Sequence, residues 1–387
     1  MRLGVMGAGM QGLACVLDFL KVPEVREVRA WDTDEGRLGE LRRRFPDARL
    51  HTGILDAGRH DDLVTAFAGL DAVVSAVPYF LNLAVTRAAI AARVSLVDLG
   101  GNTDVVFQQR SLDEEARAAG VTILPDQGLA PGLAGILAAH GFRDFDTVES
   151  ARLRVGGLPQ NPRGPLGYSL VFSIHGLLNE YSGEAMGLED GEIARKPALE
   201  GREEIRFPEP IGLCEAAYTS GGTSTLPWTF RGRIRELDYK TVRYPGHWER
   251  LLFLRRIGML DTTPRAVGRG KVVPRECLAA VLEPVLNDPD VRDLVVLRVR
   301  VRGTRGKETV LRQYDMIDYY DEPTGLTAMM RTTAFPAAES ALLLARGDIA
   351  VKGVPAPEEV IPGAAYLSAL RARGMRITEV ESVRRGE

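Results

Sequence analysis

The sequence predicts an α/β fold, in which a doubly wound parallel sheet is joined to a second, α+β domain with an open mixed or antiparallel sheet. Three observations carry that expectation. Short apolar runs alternate with helix-period segments over residues 1–126. A glycine-rich hexapeptide, Gly7-Ala8-Gly9-Met10-Gln11-Gly12, stands between the first apolar run and the first helical one. From 127 to 326 the apolar runs lengthen and alternate, as in Leu297-Arg298-Val299-Arg300-Val301-Arg302, which suits a sheet with one dry face and one wet face.

Strands are expected at Leu3–Met6, Val28–Trp31, weakly near Arg49–Thr52, then at Ala72–Ala76, Ser95–Asp98 and Thr122–Leu124. Helices are expected over 10–20, 35–45, 59–68, 82–92 and 108–119. Right-handed crossovers turn that order into a Rossmann sheet. In this setting the hexapeptide reads as a dinucleotide fingerprint. Gly7 permits the tight turn, Gly9 lets a pyrophosphate approach the backbone, and Gly12 lets helix and strand pack closely. Ala8, Met10 and Gln11 fill the turn and the first helical residues, whose N–H groups face the phosphates. Asp32 closes the second strand twenty residues past Gly12, where it can accept hydrogen bonds from ribose hydroxyls. An acid there repels a 2′-phosphate, which favours NAD over NADP, while Arg42, Arg43 and Arg44 read as a solvated helix face. Ligands bind beyond the carboxyl ends of such strands, so Ala76, Val77, Pro78, Asp98, Gly100 and Asp126 are expected on the rim that carries the glycine turn.

Beyond residue 126, Val310–Tyr320 is expected to pair with Leu297–Arg302 after a Gly303–Gly306 turn. This domain is expected to lie over the nucleotide cleft and to contribute a dimer interface. Residues 328–346 read as a helix returning to the first domain, and 353–357 as a stiff linker before a last short helix at 363–372. The expected division is therefore 1–126 with 328–346, then 127–326, then a C-terminal linker, helix and tail over 347–387.

Composition narrows the function. The 387 residues are 45% hydrophobic and 26% charged with a net charge of −3, which points to neither nucleic acid nor an anionic membrane. The N-terminus enters a strand at once, leaving no room for a signal peptide, and no apolar stretch reaches spanning length. Three scattered cysteines and five scattered histidines suggest a reduced, cytoplasmic chain without disulfides or a metal site.

Reactive residue types gather in three segments: Ser173–Tyr181, Glu215–Pro227 and Tyr239–His247. Lys240 stands out because the chain has only six lysines among 49 lysines and arginines. A compact ammonium, rather than a guanidinium fork, suits that position. The segments Val74–Tyr79, Asp126–Leu133, Arg154–Pro159, Thr219–Pro227 and Lys240–His247, together with the glycine turn, resemble the saccharopine dehydrogenase superfamily. Within it they look most like the lysine 6-dehydrogenase branch. Cys214 and the bulk of Trp228 and Trp248 depart from that pattern.

The resemblance implies NAD, a small amino-acid substrate, and oxidative deamination of the lysine ε-amine to 2-aminoadipate 6-semialdehyde, which cyclises to a piperideine carboxylate. Hydride leaves Cε only after the ammonium, with a pKa of about 10.4, has lost a proton, so a base is required. His175 and Glu180 are the preferred acid–base candidates, and Asp126 either touches nicotinamide or substrate or caps the helix that follows. Lys240 and Arg243 are assigned to the substrate carboxylate, on the condition that the chain turns between them, since strand neighbours three apart face opposite ways. Glu215 holds the amine or pairs with an arginine, and Tyr181 and Thr219 complete the substrate set. Ser220–Thr225 is either a backbone anion nest or a turn, and His247 after Pro245-Gly246 reads as a turn cap. Two other readings stay open: a saccharopine- or carboxynorspermidine-type oxidoreductase acting on secondary amines, and a non-catalytic nucleotide sensor.

Overall fold

The computed structural model describes residues 1–171 and 173–385. The chain forms two compact units, residues 1–140 with 330–375, and residues 141–329 with 376 onward.

The first unit is built from β1 (Arg2–Met6), α1 (Met10–Leu20), β2 (Glu27–Asp32), α2 (Glu35–Arg44), β3 (Leu50–Ile54), α3 (His60–Phe67) and β4 (Ala72–Ser75). It continues through α4 (Asn82–Ala92), β5 (Ser95–Asp98), α5 (Thr103–Arg110), α6 (Asp113–Ala119), β6 (Ile123–Leu124) and α7 (Leu133–Gly141). Its six strands lie parallel in the order β3-β2-β1-β4-β5-β6, so the chain winds outward from β1 in both directions. β1, β4 and β5 are buried almost throughout, as a sheet covered on both faces requires. On α1 the spacing of Leu13, Val16 and Phe19 puts three apolar side chains on one face. All three are buried, each contributing about 1.5–3 kcal/mol.

Every expected strand of this unit is present, but the single helix at 108–119 is two. Asn102 starts α5 early by accepting from the N–H groups of Asp104 and Val105. The Ser111 hydroxyl then donates to the Gln108 carbonyl at the break, competing with helix continuation, and Asp113–Glu115 begin α6.

The second unit runs through β7 (Thr147–Pro159), α8 (Ile174–Glu180), β8 (Glu184–Glu189), β9 (Glu192–Pro197), β10 (Glu203–Arg206), β11 (Leu213–Tyr218) and α9 (Leu226–Thr229). β12 (Ile234–Arg243), α10 (His247–Arg256), the ribbon β13 (Arg265–Val267) and β14 (Gly270–Val272), α11 (Pro274–Leu286), β15 (Asp293–Arg305) and β16 (Glu308–Tyr319) follow. The chain then passes through α12 (Ala328–Arg346), α13 (Pro357–Val360) and α14 (Gly363–Ala372), most of which belongs to the first unit, and ends in β17 (Ile377–Arg385). The large sheet has the order β10-β11-β12-β7-β15-β16-β17, with β8 and β9 attached through β12. Only the β12–β7 pair is parallel along that path, so the sheet is mixed.

The β15–β16 hairpin pairs as expected, but the turn is shorter than Gly303–Gly306. Gly303 stays inside β15 opposite Val310. A Cβ there would come within 2.0 Å of the Thr147 carbonyl oxygen, so this glycine serves close strand approach instead of chain reversal. The tail, too, is a strand: β17 pairs along β16 from Glu308↔Arg385 to Met316↔Ile377. Arg312, 3% exposed, anchors it, donating to Asp144 and the Gly141 carbonyl, each at 2.7 Å, and to Glu381.

Arg312→Met is expected to cost on the order of 1–2 kcal/mol, modest because Asp144 and Glu381 keep a third of their exposure and water screens them. The hydrogen bond from Arg312 holds Asp144, and that from Arg305 holds Glu381, below the usual carboxylate range. Carboxylates with depressed folded-state affinity stabilise above their unfolded pKa, and that stability is lost as pH falls. Denaturant melts should therefore show the difference between wild type and Arg312→Met shrinking below about pH 4. A difference that is flat with pH would refute this account.

Candidate active site

At the start of the first unit the chain leaves β1, turns at Gly7 and enters α1. Gly7 has φ +99°, and a Cβ on it would lie 2.7 Å from the Ala76 carbonyl oxygen. Gly12 is more constrained, since its Cβ would fall 1.8 Å from the Gly7 oxygen. Gly9 is different: the nearest atom to its Cβ position is Arg37 Nη1 at 4.0 Å, so the space above the turn is open. Gly9 is also the N-cap of α1 and carries no side-chain cap, leaving first-turn N–H groups for a ligand. In the same turn the buried Oε1 of Gln11 has no hydrogen-bond partner among the described residues. Met10 is 52% exposed. An uncapped helix start and an open glycine together fit a dinucleotide pyrophosphate.

Asp32 is 7% exposed and faces this turn. Its Oδ2 accepts from the Ala8 N–H at 2.7 Å and its Oδ1 from the Asp34 N–H at 3.0 Å. Arg37, on α2, brings Nη1 to 3.7 Å from the Asp32 carboxylate with its side chain 56% exposed. Sequence reasoning passed over Arg37 in favour of Arg42–Arg44, because the loop geometry after β2 selects which arginine meets Asp32. Along the rim, Ala76 and Val77 abut Gly7, and Pro78 opens the short turn Tyr79–Leu81.

Asp98 is fully buried and holds the rim loops together. It accepts from the Gly100 and Asp126 N–H groups and from the Gln109 amide at 2.6 Å. Burial pushes its proton affinity up against those three donors. Asp126 adopts φ +59° and is 6% exposed. Its carboxylate lies so close to Gly100 that a Cβ there would meet Oδ1 at 1.7 Å. Asp98 thus acts on the rim through backbone positioning, with its carboxylate already committed.

In the second unit a cluster of polar side chains lies under aromatic rings. Glu180 ends α8 and keeps 34% of its side-chain exposure. Arg243 ends β12, is 2% exposed, and places Nη2 3.7 Å from Glu180 Oε2. The guanidinium sits 4.7 Å above the Tyr168 ring and 5.9 Å from those of Tyr181 and Trp248. Arg243 Nε donates to Tyr181 Oη at 3.0 Å, and Oη lies 2.9 Å from His247 Nε2. Burial raises the Glu180 carboxyl to about 7, against the opposing pull of Arg243. Burial together with the Arg243 charge pushes His247 down to about 3, so its ring is neutral.

The remaining sequence candidates divide between the two sheet faces. β12 runs without a turn from Ile234 to Arg243, so the condition for joint carboxylate binding by Lys240 and Arg243 is not met. Lys240 points to the other face, bonded to Glu203 at 2.7 Å and over the Tyr218 ring. There Arg154 binds Asp238 through both Nη atoms and also Glu203. A solvent-open pocket on that face is lined by Arg152, Lys196, Tyr218 and Asp238, and by neither Glu180 nor Arg243.

His175 does not join Glu180. It is exposed on α8, and five residues put the two about 140° apart around the helix. Glu215, opposite Arg243 in β11, caps the turn before α10 by accepting from the Gly246 N–H and pairs with Arg202. Thr219 is buried in a hydroxyl pair with Thr241 at 2.6 Å. Ser220–Thr225 reads as a turn, since the Ser220 N–H donates to the Glu180 carbonyl and Ser224 to Gly221. His247 opens α10 with a fully buried ring instead of capping a turn through its side chain. Tyr168 and His247 were missed as members of the cluster. Pro245-Gly246 immediately before His247, a forced reversal after a strand, was the available signal.

A six-stranded parallel sheet with an open glycine turn defines a dinucleotide-binding fold of the α/β class. The chain belongs to the saccharopine dehydrogenase family: residues 3–124 match the saccharopine dehydrogenase NADP binding domain, and 128–375 the saccharopine dehydrogenase C-terminal domain. Among relatives, carboxynorspermidine synthase of Vibrio cholerae is 25% identical over 76% of this chain and 73% of its own length. The mitochondrial alpha-aminoadipic semialdehyde synthase of Mus musculus is 24% identical over 91% of this chain, which spans 45% of that protein. Saccharopine dehydrogenase [NADP(+), L-glutamate-forming] of Pyricularia oryzae is 27% identical over 54% of this chain and 47% of its own. The apo saccharopine dehydrogenase (L-Glu forming) structure from Saccharomyces cerevisiae superposes with a TM-score of 0.79 at 20% identity. It covers 98% of this chain and 99% of that one, so the fold is shared. Among the described residues no helix is long and apolar enough to cross a membrane.

Proposed function

We propose that this chain is a pyridine-nucleotide-dependent dehydrogenase that oxidises the ε-amine carbon of L-lysine, with Glu180 as the proton acceptor. The products are ammonia and 2-aminoadipate 6-semialdehyde, which closes to a piperideine carboxylate. Hydride acceptance is the chemistry the dinucleotide supplies when held at Gly7–Gly12 and Asp32. Everything else falls to side chains. The substrate ammonium, with a pKa of about 10.4, must lose a proton before its nitrogen lone pair can assist hydride departure. A carboxylate set 3.7 Å from a buried guanidinium, and raised by burial to about 7, is matched to that transfer near neutral pH, and this pairing carries the proposal. Once that first proton has passed to solvent from its exposed side, Glu180 holds the water that adds to the iminium carbon, takes its proton, and returns a proton to the departing nitrogen. Arg243 keeps the ionised carboxylate accessible within aromatic walls that desolvate it.

NAD is the proposed cofactor because Asp32 places a negative charge at the end of β2. Arg37 beside it offsets that charge and would pair with a 2′-phosphate. Arg37→Glu is therefore expected to raise the KM for NADP by roughly tenfold more than the KM for NAD. Equal effects on both nucleotides would remove Arg37 from cofactor choice.

A secondary-amine substrate is favoured by one finding, the names of the matched relatives, which include carboxynorspermidine synthase and saccharopine dehydrogenase. Nicotinamide absorbance with lysine, saccharopine and shorter diamines, run in both directions, separates the readings. Reduction supported by free ammonia assigns a primary amine. A requirement for an amino-containing co-substrate would overturn the lysine reading in favour of the secondary amine.

A further inference from the structure

Arg243 is held by a hydrogen-bond chain whose direction is fixed by chemistry. The Leu166 carbonyl can only accept, so His247 Nδ1, 3.1 Å away, carries the ring proton. The neutral ring then offers Nε2 as an acceptor, and Tyr181 must donate its O–H to it. That leaves the Tyr181 oxygen lone pairs for Arg243 Nε–H. At the other edge Nη1 donates to the Val242 carbonyl at 3.0 Å. With Nε and Nη1 both committed, Nη2 is the edge turned to Glu180.

We propose that Tyr181 and His247 are positioning residues that lock the plane of Arg243 so that Nη2 faces Glu180, setting the proton affinity of that carboxylate from a distance. The proposal rests on the reading of Glu180 as proton acceptor, and it adds the device that tunes it. Among the described residues, four groups interact electrostatically with Glu180. Arg243 and Tyr239 come from β12, Tyr168 from the segment before α8, and Tyr181 from the end of α8 itself. Burial pushes Tyr168 up to about 12, and Tyr181 and Tyr239 higher still, so the three phenols stay neutral. Arg243 is the charged member of the set, and the carboxylate therefore responds to where that charge points. Arg250, which adds to the depression of His247, acts on the ring that is already neutral.

Tyr181→Phe keeps the ring and removes the acceptor of Arg243 Nε–H. The guanidinium is then free to turn, Glu180 loses attraction, and its affinity for a proton rises. Infrared titration of the carboxyl band in the full chain reads this directly, with Glu180→Gln identifying the band. The midpoint is expected to move up by roughly half a pH unit or more in Tyr181→Phe. The acid limb of kcat should shift in parallel. In an Arg243→Lys background, which keeps the charge but has no Nε donor, Tyr181→Phe should add no further shift. His247→Phe, which removes the acceptor of the Tyr181 hydroxyl, should move the midpoint in the same direction and supplies the second variant. An unmoved midpoint in folded Tyr181→Phe and His247→Phe, or an undiminished shift in the Arg243→Lys background, overturns the proposal. A midpoint that moves while the kinetic limb stays still upholds the positioning and refutes Glu180 as the proton acceptor.

Discussion

Glu180→Gln is expected to lower kcat/KM for the amine by roughly a hundredfold or more, with pyridine-nucleotide binding unchanged. The amide keeps the shape at the end of α8 but neither accepts a proton nor pairs with Arg243. The pH dependence gives the sharper test. Proton acceptance needs the carboxylate, so wild-type kcat should rise with pH through about 7, the value to which burial raises Glu180. In Glu180→Gln that limb should vanish, leaving a low, flatter profile. Stability carries the opposite sign. A carboxyl whose folded affinity is raised opposes folding once it ionises in the unfolded chain, so it costs stability increasingly above its ordinary value near 4.3 and up to about 7. Glu180→Gln should therefore match or exceed wild-type stability at pH 7 while losing activity. A retained limb near neutrality would place the essential base elsewhere.

Gly12→Ala is expected to raise the dissociation constant for either pyridine nucleotide by roughly a hundredfold and to destabilise the first unit by about 1–3 kcal/mol. The added Cβ would sit 1.8 Å from the Gly7 oxygen and 2.8 Å from its carbon, both backbone atoms. Nothing there can rotate aside, so α1 must move away from the turn and its N–H groups lose their aim. Gly9→Ala is the informative partner. Its Cβ meets nothing closer than Arg37 Nη1 at 4.0 Å, so the protein should melt as wild type does. Any loss of nucleotide affinity in that variant then measures the volume the ligand itself needs. Calorimetric titration with both nucleotides and a thermal scan of each variant read both effects. A Gly12→Ala chain that binds normally would refute the cradle.

Much of this protein was legible in order along the chain. The alternation of apolar runs with helical periods gave six parallel strands in their places, because each period is a local property. The Gly7–Gly12 turn and Asp32 were legible for the same reason, since their spacing sets their geometry. The break between α5 and α6 was less so, because the Ser111 hydroxyl bonds back to the Gln108 carbonyl at a point the periodicity runs straight through. Similarly, Ile377–Arg385 reads as a charged tail until β16 supplies the hydrogen-bonding partner that makes it β17.

By itself, then, the sequence determined the first unit's sheet, its nucleotide turn, and the residue types available for amine chemistry, including Glu180. Tertiary structure alone decided which of those residues meet. Sheet register sent Lys240 to Glu203 on one face and Arg243 to Glu180 on the other. It also brought His247 to Tyr181 across 66 residues of chain. Such encounters depend on strand pairing and on desolvation by neighbours distant in sequence, and both arise only when the chain has closed on itself.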